Sequence, residues 1–149
     1  MHLKHKFFYK KFENLSRKEI HDLFLLRSEV FVVEQNCVYQ DIDGRDEKAR
    51  HVLVKIKTKI IAYARVLQDK DPNYVSIGRI VVSVKERRKG LGRSLLDFIL
   101  KKIYENEPKR PIKISAQAHL ESFYTDQGFK TKSKPYMEDG IPHISMILE

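Results

Sequence analysis

The stretch that most constrains this chain is residues 75–103, where a β-branched run leads through a basic, glycine-bearing turn into a helical pattern. Residues 75–84 are apolar and β-branched over a length that suits a central strand. They end at Arg87-Arg88-Lys89-Gly90-Leu91-Gly92, after which Gly92, Leu95, Leu96, Ile99 and Ile103 fall on one helical face. That helix stops before Pro108 and Pro111, and residues 112–116 read as a short strand. Strand, crossover helix and strand imply a parallel pair with helices covering the sheet.

The junction also has a chemical consequence. Free amides converge where a strand runs into a helix start, and the helix dipole adds positive potential, so the site suits a phosphate. Gly90 would let the backbone approach an oxyanion, and Gly92 would let the helix pack tightly on the sheet. Arg87, Arg88, Lys89 and Arg93 add charge around the turn. A plain basic turn is the competing reading of these residues. Two other phosphate motifs fail on spacing: the P-loop pattern is absent, and the dinucleotide fingerprint needs a third glycine where Leu95 stands.

The rest of the chain alternates strands and helices. Residues 6–12 predict a first strand, and Ser16-Arg17-Lys18-Glu19 has the form of a capping box that opens a helix. In that helix Ile20, Leu23, Phe24, Val30 and Phe31 share a stripe with Arg27 and Glu34, which places both charges toward the interior. Seven residues, or about 10 Å of axis, separate the two, so each needs another partner or both edge a polar pocket. A loop with Asp41, Asp43, Gly44 and Asp46 precedes a hairpin of residues 51–57 and 60–67. Residues 68–74 form a turn. Beyond the crossover, a helix at about 119–126 is closed by Gly128, and strand-like segments follow around 129–132 and 143–148.

A chain of 149 residues with 42% apolar content predicts one domain spanning residues 1–149, with a core that needs neither disulfide nor structural metal. Cys37 is the sole cysteine, and no Cys/His spacing suits a zinc site, so no metal is expected. The N-terminal residues lack the pattern of a secretory signal, and no apolar run reaches the roughly 20 residues of a membrane span. A cytoplasmic protein without membrane contact is the expectation. The net charge of +9 favours polyanionic partners, and its densest block, residues 85–93, coincides with the glycine turn. A phosphorylated ligand therefore explains more than a nucleic-acid face, and no nucleic-acid partner is expected.

Residues 82–92, Val-Ser-Val-Lys-Glu-Arg-Arg-Lys-Gly-Leu-Gly, resemble the acetyl-CoA motif of the GNAT N-acetyltransferase superfamily, and Phe123-Tyr124 with Gly128-Phe129 is similar to its second cofactor motif. Residues 26–35, Asp43-Gly44 with Asp46 and His51, Ala116-Gln117 and residues 138–143 resemble the ElaA-like subgroup. The resemblance implies an α/β fold with a mixed sheet whose fourth and fifth strands splay apart to admit pantetheine. It implies that Val82 and Val84 bond the pantetheine through their backbone, and that amides of Arg87, Arg88, Lys89, Gly90, Leu91, Gly92 and Arg93 hold the pyrophosphate of acetyl-CoA as co-substrate. Relatives often form homodimers, which leaves that assembly open.

By the same resemblance an amine attacks the thioester directly, which requires a base for the amine and a proton for the departing thiolate. Tyr124 matches the position of the proton-donating tyrosine; a core aromatic beside Phe123 is its alternative. Glu34, His51, Glu138 and His143 are candidates for the base, with no spacing rule to choose among them. The acceptor is a small-molecule or peptide amine, and Glu34 with Asp41, Asp43 and Asp46 near the cleft would suit a cationic one. An acyl-homoserine-lactone synthase is the nearest alternative enzyme, since Arg27, Phe31, Asp43, Asp46 and Arg65 resemble its polar set, though this chain lacks Trp. A basic nucleic-acid-binding protein, or a non-catalytic acyl-CoA binder, completes the alternatives.

Overall fold

A computed structural model describes residues 4–149. Its centre is an eight-stranded mixed sheet in the order β1-β2-β3-β4-β5-β8-β6, with β7 pairing β8. The strands are β1 (His5–Lys11), β2 (Arg50–Ile56), β3 (Lys59–Gln68), β4 (Val75–Val82), β5 (Ile112–Gln117), β6 (Lys130–Thr131), β7 (Tyr136–Glu138) and β8 (Ile141–Leu148). The helices are α1 (Arg17–Arg27), α2 (Leu91–Asn106) and α3 (Glu121–Asp126). All pairings are antiparallel except β4 with β5. That exception is the crossover through α2 that the sequence predicts, and the mixed α/β fold is as expected.

Side-chain alternation along the strands divides the core in two. Val52 and Val54 join Ala62, Ala64 and the α2 residues Leu95, Leu96 and Ile99 on one face. Leu53, between them, joins Tyr63 and the α1 residues Leu23 and Leu26 on the other. Ser16 caps α1 by accepting from Glu19 N–H, while the Glu19 carboxylate accepts from Ser16 N–H at 2.8 Å, so the capping box forms.

Past Arg27 the helix changes character. Residues Ser28–Glu34 form a π-helical stretch, with Gln35 N–H bonded to Val30 O and Cys37 N–H to Val32 O. Seven residues complete nearly two turns of an α-helix. A π-turn takes more residues per revolution, so Glu34 no longer lies below Arg27. Arg27 is fully buried, and Glu34 is rotated to the surface. The expectation that both charges face the interior is thus corrected for Glu34.

β4 ends at Val82, two residues earlier than predicted. Val84 opens a single 3-10 turn, and its carbonyl accepts Arg87 N–H at 3.4 Å. β4 and β5 pair only over Val75–Ile112, Ser76–Lys113 and Ile77–Ile114. Beyond Ile77 they part, because β4 carries an irregularity in which Gly78 opposes Arg65 and Val81 opposes Tyr63. Arg79, inside it, has φ +52°. An extra residue of this kind bends a strand and breaks its ladder. The predicted splay of the fourth and fifth strands is present.

Candidate functional site

The splay opens a cavity of about 740 Å³. Its walls come from β4 (Gly78 to Val82), from β5 (Ile114 to Gln117), from the π-helical stretch, from Tyr124 of α3 and from Glu138 and His143 at the β7–β8 hairpin. Arg87 lines it from the glycine turn.

At the head of α2 the phosphate-binding expectation meets its geometry. Gly90 is the N-cap residue with φ +78°, and no side chain caps the helix. The N–H groups of Leu91, Gly92 and Arg93 thus open the first turn with no side-chain partner. Arg88 has φ +63°, so two left-handed residues curl the turn and direct amides outward. A Cβ added at Gly90 would meet nothing within 4 Å, so glycine serves the backbone conformation there and leaves the space above it open. Gly92 corrects its expectation: a Cβ there would face Phe123 of α3 at 3.9 Å, an ordinary contact, so tight packing on the sheet does not require it. These observations fit a pyrophosphate against backbone amides. Arg88 and Arg93 are placed around the turn to add charge, Lys89 reaches Glu86 at 3.4 Å in an exposed pair, and Arg87 is engaged elsewhere: its Nη1 and Nη2 donate to Glu34 at 2.6 and 2.9 Å.

Tyr124 lies against the cavity with its ring edge-on to Phe123 and to Phe129. Burial alone pushes its phenol up to about 12. His143 is buried at the start of β8, with Nδ1 2.7 Å from Ile141 O and Nε2 3.3 Å from Glu138 Oε2. A carbonyl only accepts, so Nδ1 carries the hydrogen and Nε2 is turned to the carboxylate. Ser115 Oγ donates to Glu138 Oε1 at 3.3 Å and also bonds the Tyr136 hydroxyl, so a chain of hydroxyls and carboxylate at the cavity rim ends beside the imidazole. The hairpin that places it turns on Asp139 (φ +51°) and Gly140 (φ +77°). Asp-Gly between two apolar runs is a hairpin signal, and it would have located β7 in the sequence.

Other candidates fall away. His51 is fully buried in β2, its Nε2 donating to Asp46 O at 2.8 Å and its Nδ1 facing Tyr63 Oη at 2.6 Å. Burial lowers its pKa, and it is a neutral linker away from the cavity. The three loop aspartates are also spent. Asp41 and Asp46 accept from Arg27 at 3.0 and 2.6 Å, Asp43 takes both terminal nitrogens of Arg65 at 2.8 Å, and Arg79 Nε stands 2.8 Å from Asp41. Three arginines neutralise three aspartates, so the expected acidic attraction for a cationic amine does not come from that loop. Arg27, Asp43, Asp46 and Arg65, part of the set resembling a lactone synthase, hold the loop to the sheet. Among the described residues no helix is long and apolar enough to cross a membrane, and no group of three metal-ligating side chains converges.

Residues 13–149 match the sequence profile of the acetyltransferase (GNAT) domain. The protein ElaA of Escherichia coli K12 is 44% identical over 138 residues, covering 91% of this chain and 90% of ElaA. A UPF0039 protein of Schizosaccharomyces pombe is 40% identical over 97% of both chains. Among solved structures, an acyl-CoA N-acyltransferase from Pseudomonas aeruginosa superimposes with a TM-score of 0.93 at 37% identity, covering 98% of this chain and all of that one.

Proposed function

The chain belongs to the GNAT acetyltransferase family and has the fold of an acyl-CoA N-acyltransferase, and from that premise we propose that it transfers an acetyl group from acetyl-CoA to a primary amine of a small molecule or peptide. In this reading residues 1–149 act as one domain. The observation that carries it is the opening of β4 from β5 directly beside the uncapped end of α2, with a buried tyrosine at the cavity wall. When bound, the co-substrate supplies an acyl thioester and a thiol leaving group. The amides of Leu91, Gly92 and Arg93, with the side chains of Arg88, Lys89 and Arg93, would hold its phosphates. At the end of β4 the Val82 carbonyl, held by Arg87 Nε at 3.0 Å, would pass to the arm, and in the turn beyond it Val84, whose carbonyl is taken, would offer its amide.

Tyr124 holds a proton at Oη for the departing sulfur. Its pKa of about 12 keeps it protonated across the neutral range. His143 faces the cavity with Glu138 at Nε2, which suits receipt of the amine's proton. Glu34 is a weaker base in this reading, because the Arg87 fork holds its carboxyl below the usual range.

The test is thiol release from acetyl-CoA across a panel of primary amines, repeated with Tyr124→Phe. The variant should lose roughly 10²- to 10³-fold in kcat with little change in the amine KM. A folded Phe variant with undiminished kcat would remove Tyr124 from the mechanism, and no thiol release with any amine would remove the transferase reading. The pH profile adds a check. A raised pKa means that the folded phenol keeps its proton through the window from 10 to 12, where an unfolded tyrosine ionises. No loss of kcat assignable to this group is therefore expected below about pH 10, and stability should fall as pH rises through that window.

A further inference from the structure

Arg87 closes the open edge of β4 from within the chain. In a trans peptide the C=O and N–H point in opposite directions. Ser83 N–H is spent on Ile61 O of β3 at 2.8 Å, so the Val82 carbonyl of the same peptide is directed away from β3, into the gap left by β5. That acceptor is already occupied, since Arg87 Nε donates to it at 3.0 Å. The remaining two nitrogens of the same guanidinium fork onto Glu34, Nη1 to Oε2 at 2.6 Å and Nη2 to Oε1 at 2.9 Å. One side chain therefore ties the end of β4, the cofactor turn and the end of the π-helical stretch.

Position and strength both matter. Glu34 and Val30 border the splayed cavity and also a second cavity of about 640 Å³ beside it, so the bridge stands where the two meet. Its side chains are 36% and 40% exposed, and an ion pair so open to water is readily exchanged for another partner. The π-helical register is what brings Glu34 out to meet Arg87; an α-helical continuation would have turned it inward.

We propose that the Glu34–Arg87 bridge is a latch that caps the Val82 carbonyl and keeps Glu34 engaged until the pantetheine arm of an acyl-CoA takes that carbonyl. The inference rests on the acyl-CoA reading above and goes beyond it. An amide N–H of the arm replaces Arg87 Nε on Val82 O, and Arg87 is released on the same turn that presents the amides of Leu91 and Gly92. Glu34 is left as an uncompensated carboxylate at the cavity, where a cationic amine meets it only in the loaded protein. Arg87 is thus a positioning residue for the acceptor as well as a neighbour of the phosphates.

The test is titration calorimetry with two ligands, CoA and 3′-phosphoadenosine 5′-diphosphate, which carries the nucleotide phosphates but no pantetheine arm. Wild type, Glu34→Ala and Arg87→Lys are compared; the lysine keeps the charge but cannot span Val82 O and both oxygens of Glu34. Both variants should bind CoA roughly two- to fivefold more tightly, with affinity for the armless nucleotide unchanged. Unchanged CoA affinity in both variants overturns the latch. So does an equal gain for both ligands, which would be the general effect of a lost carboxylate. If wild type binds neither ligand, the acyl-CoA reading fails and the latch with it; if wild type binds both and the variants change the two affinities equally or not at all, the latch alone fails.

Discussion

Arg27 shows how one buried charge organises a loop. It has no exposure, donates to the carboxylates of Asp41 and Asp46, and also bonds the Asp41 carbonyl at 2.9 Å. Removing the charge leaves two buried carboxylates each short of a cation, Asp41 keeping Arg79 at 2.8 Å and Asp46 keeping Arg65 at 3.1 Å, which is more costly than losing a surface ion pair. Arg27→Leu should destabilise the fold by roughly 3–5 kcal/mol in urea unfolding, and a loss below about 1 kcal/mol would mean that Arg65 and Arg79 suffice to compensate the aspartates. The sequence made Arg27 visible as a charge on an apolar stripe that needs a partner elsewhere, and that part is realised. Which acids it meets was not readable, since Asp41 and Asp46 lie 14 and 19 positions away across a loop of irregular geometry.

At the scale of the element, the irregularity of β4 decides where the site can exist. Arg79 sits inside a strand with φ +52°, a conformation that costs most side chains about 1–2 kcal/mol, and its guanidinium meets Asp41 and Asp43. Strand positions ordinarily prefer alanine to glycine by roughly 0.5–1 kcal/mol. Here that order should reverse. Both Arg79→Ala and Arg79→Gly lose the ion pairs, but only glycine relieves the backbone, so the glycine variant should melt at the higher temperature. If alanine is the more stable, the left-handed conformation is not strained in this setting. Nothing in Val75-Ser76-Ile77-Gly78-Arg79 announces this apart from Gly78 within a β-branched run, a weak bulge signal. The π-helical stretch is similarly silent, because its apolar residues also satisfy an α-helical period.

Across the whole molecule the charge of +9 is organised by pairing as much as by excess. Arg27, Arg65 and Arg79 are committed to the aspartate loop, Arg87 to Glu34 and, more loosely, Lys89 to Glu86, so Arg88 and Arg93 are the cations left beside Gly90 on a backbone that presents amides. A ligand that needs those amides should stabilise the fold by mass action. CoA at one hundred times its dissociation constant should add about 2.7 kcal/mol and raise Tm by roughly 5–10 °C. A generic oligonucleotide at the same phosphate concentration should leave Tm unchanged; the opposite pattern would favour the nucleic-acid-binding alternative.

Several features were settled by sequence alone: the strand-turn-helix crossover at Val75 to Ile103, the capping box at Ser16, the glycine turn and Tyr124 beside Phe123. All rest on local periodicity, caps and turn residues, which act over a few positions. Tertiary structure alone decided that Glu34 faces Arg87, that Asp41, Asp43 and Asp46 are neutralised, that His51 is a buried linker and that His143 is aligned by Ile141 and Glu138. Each depends on which distant groups share one small volume, and burial and charge pairing there are set by packing between elements rather than by spacing along the chain.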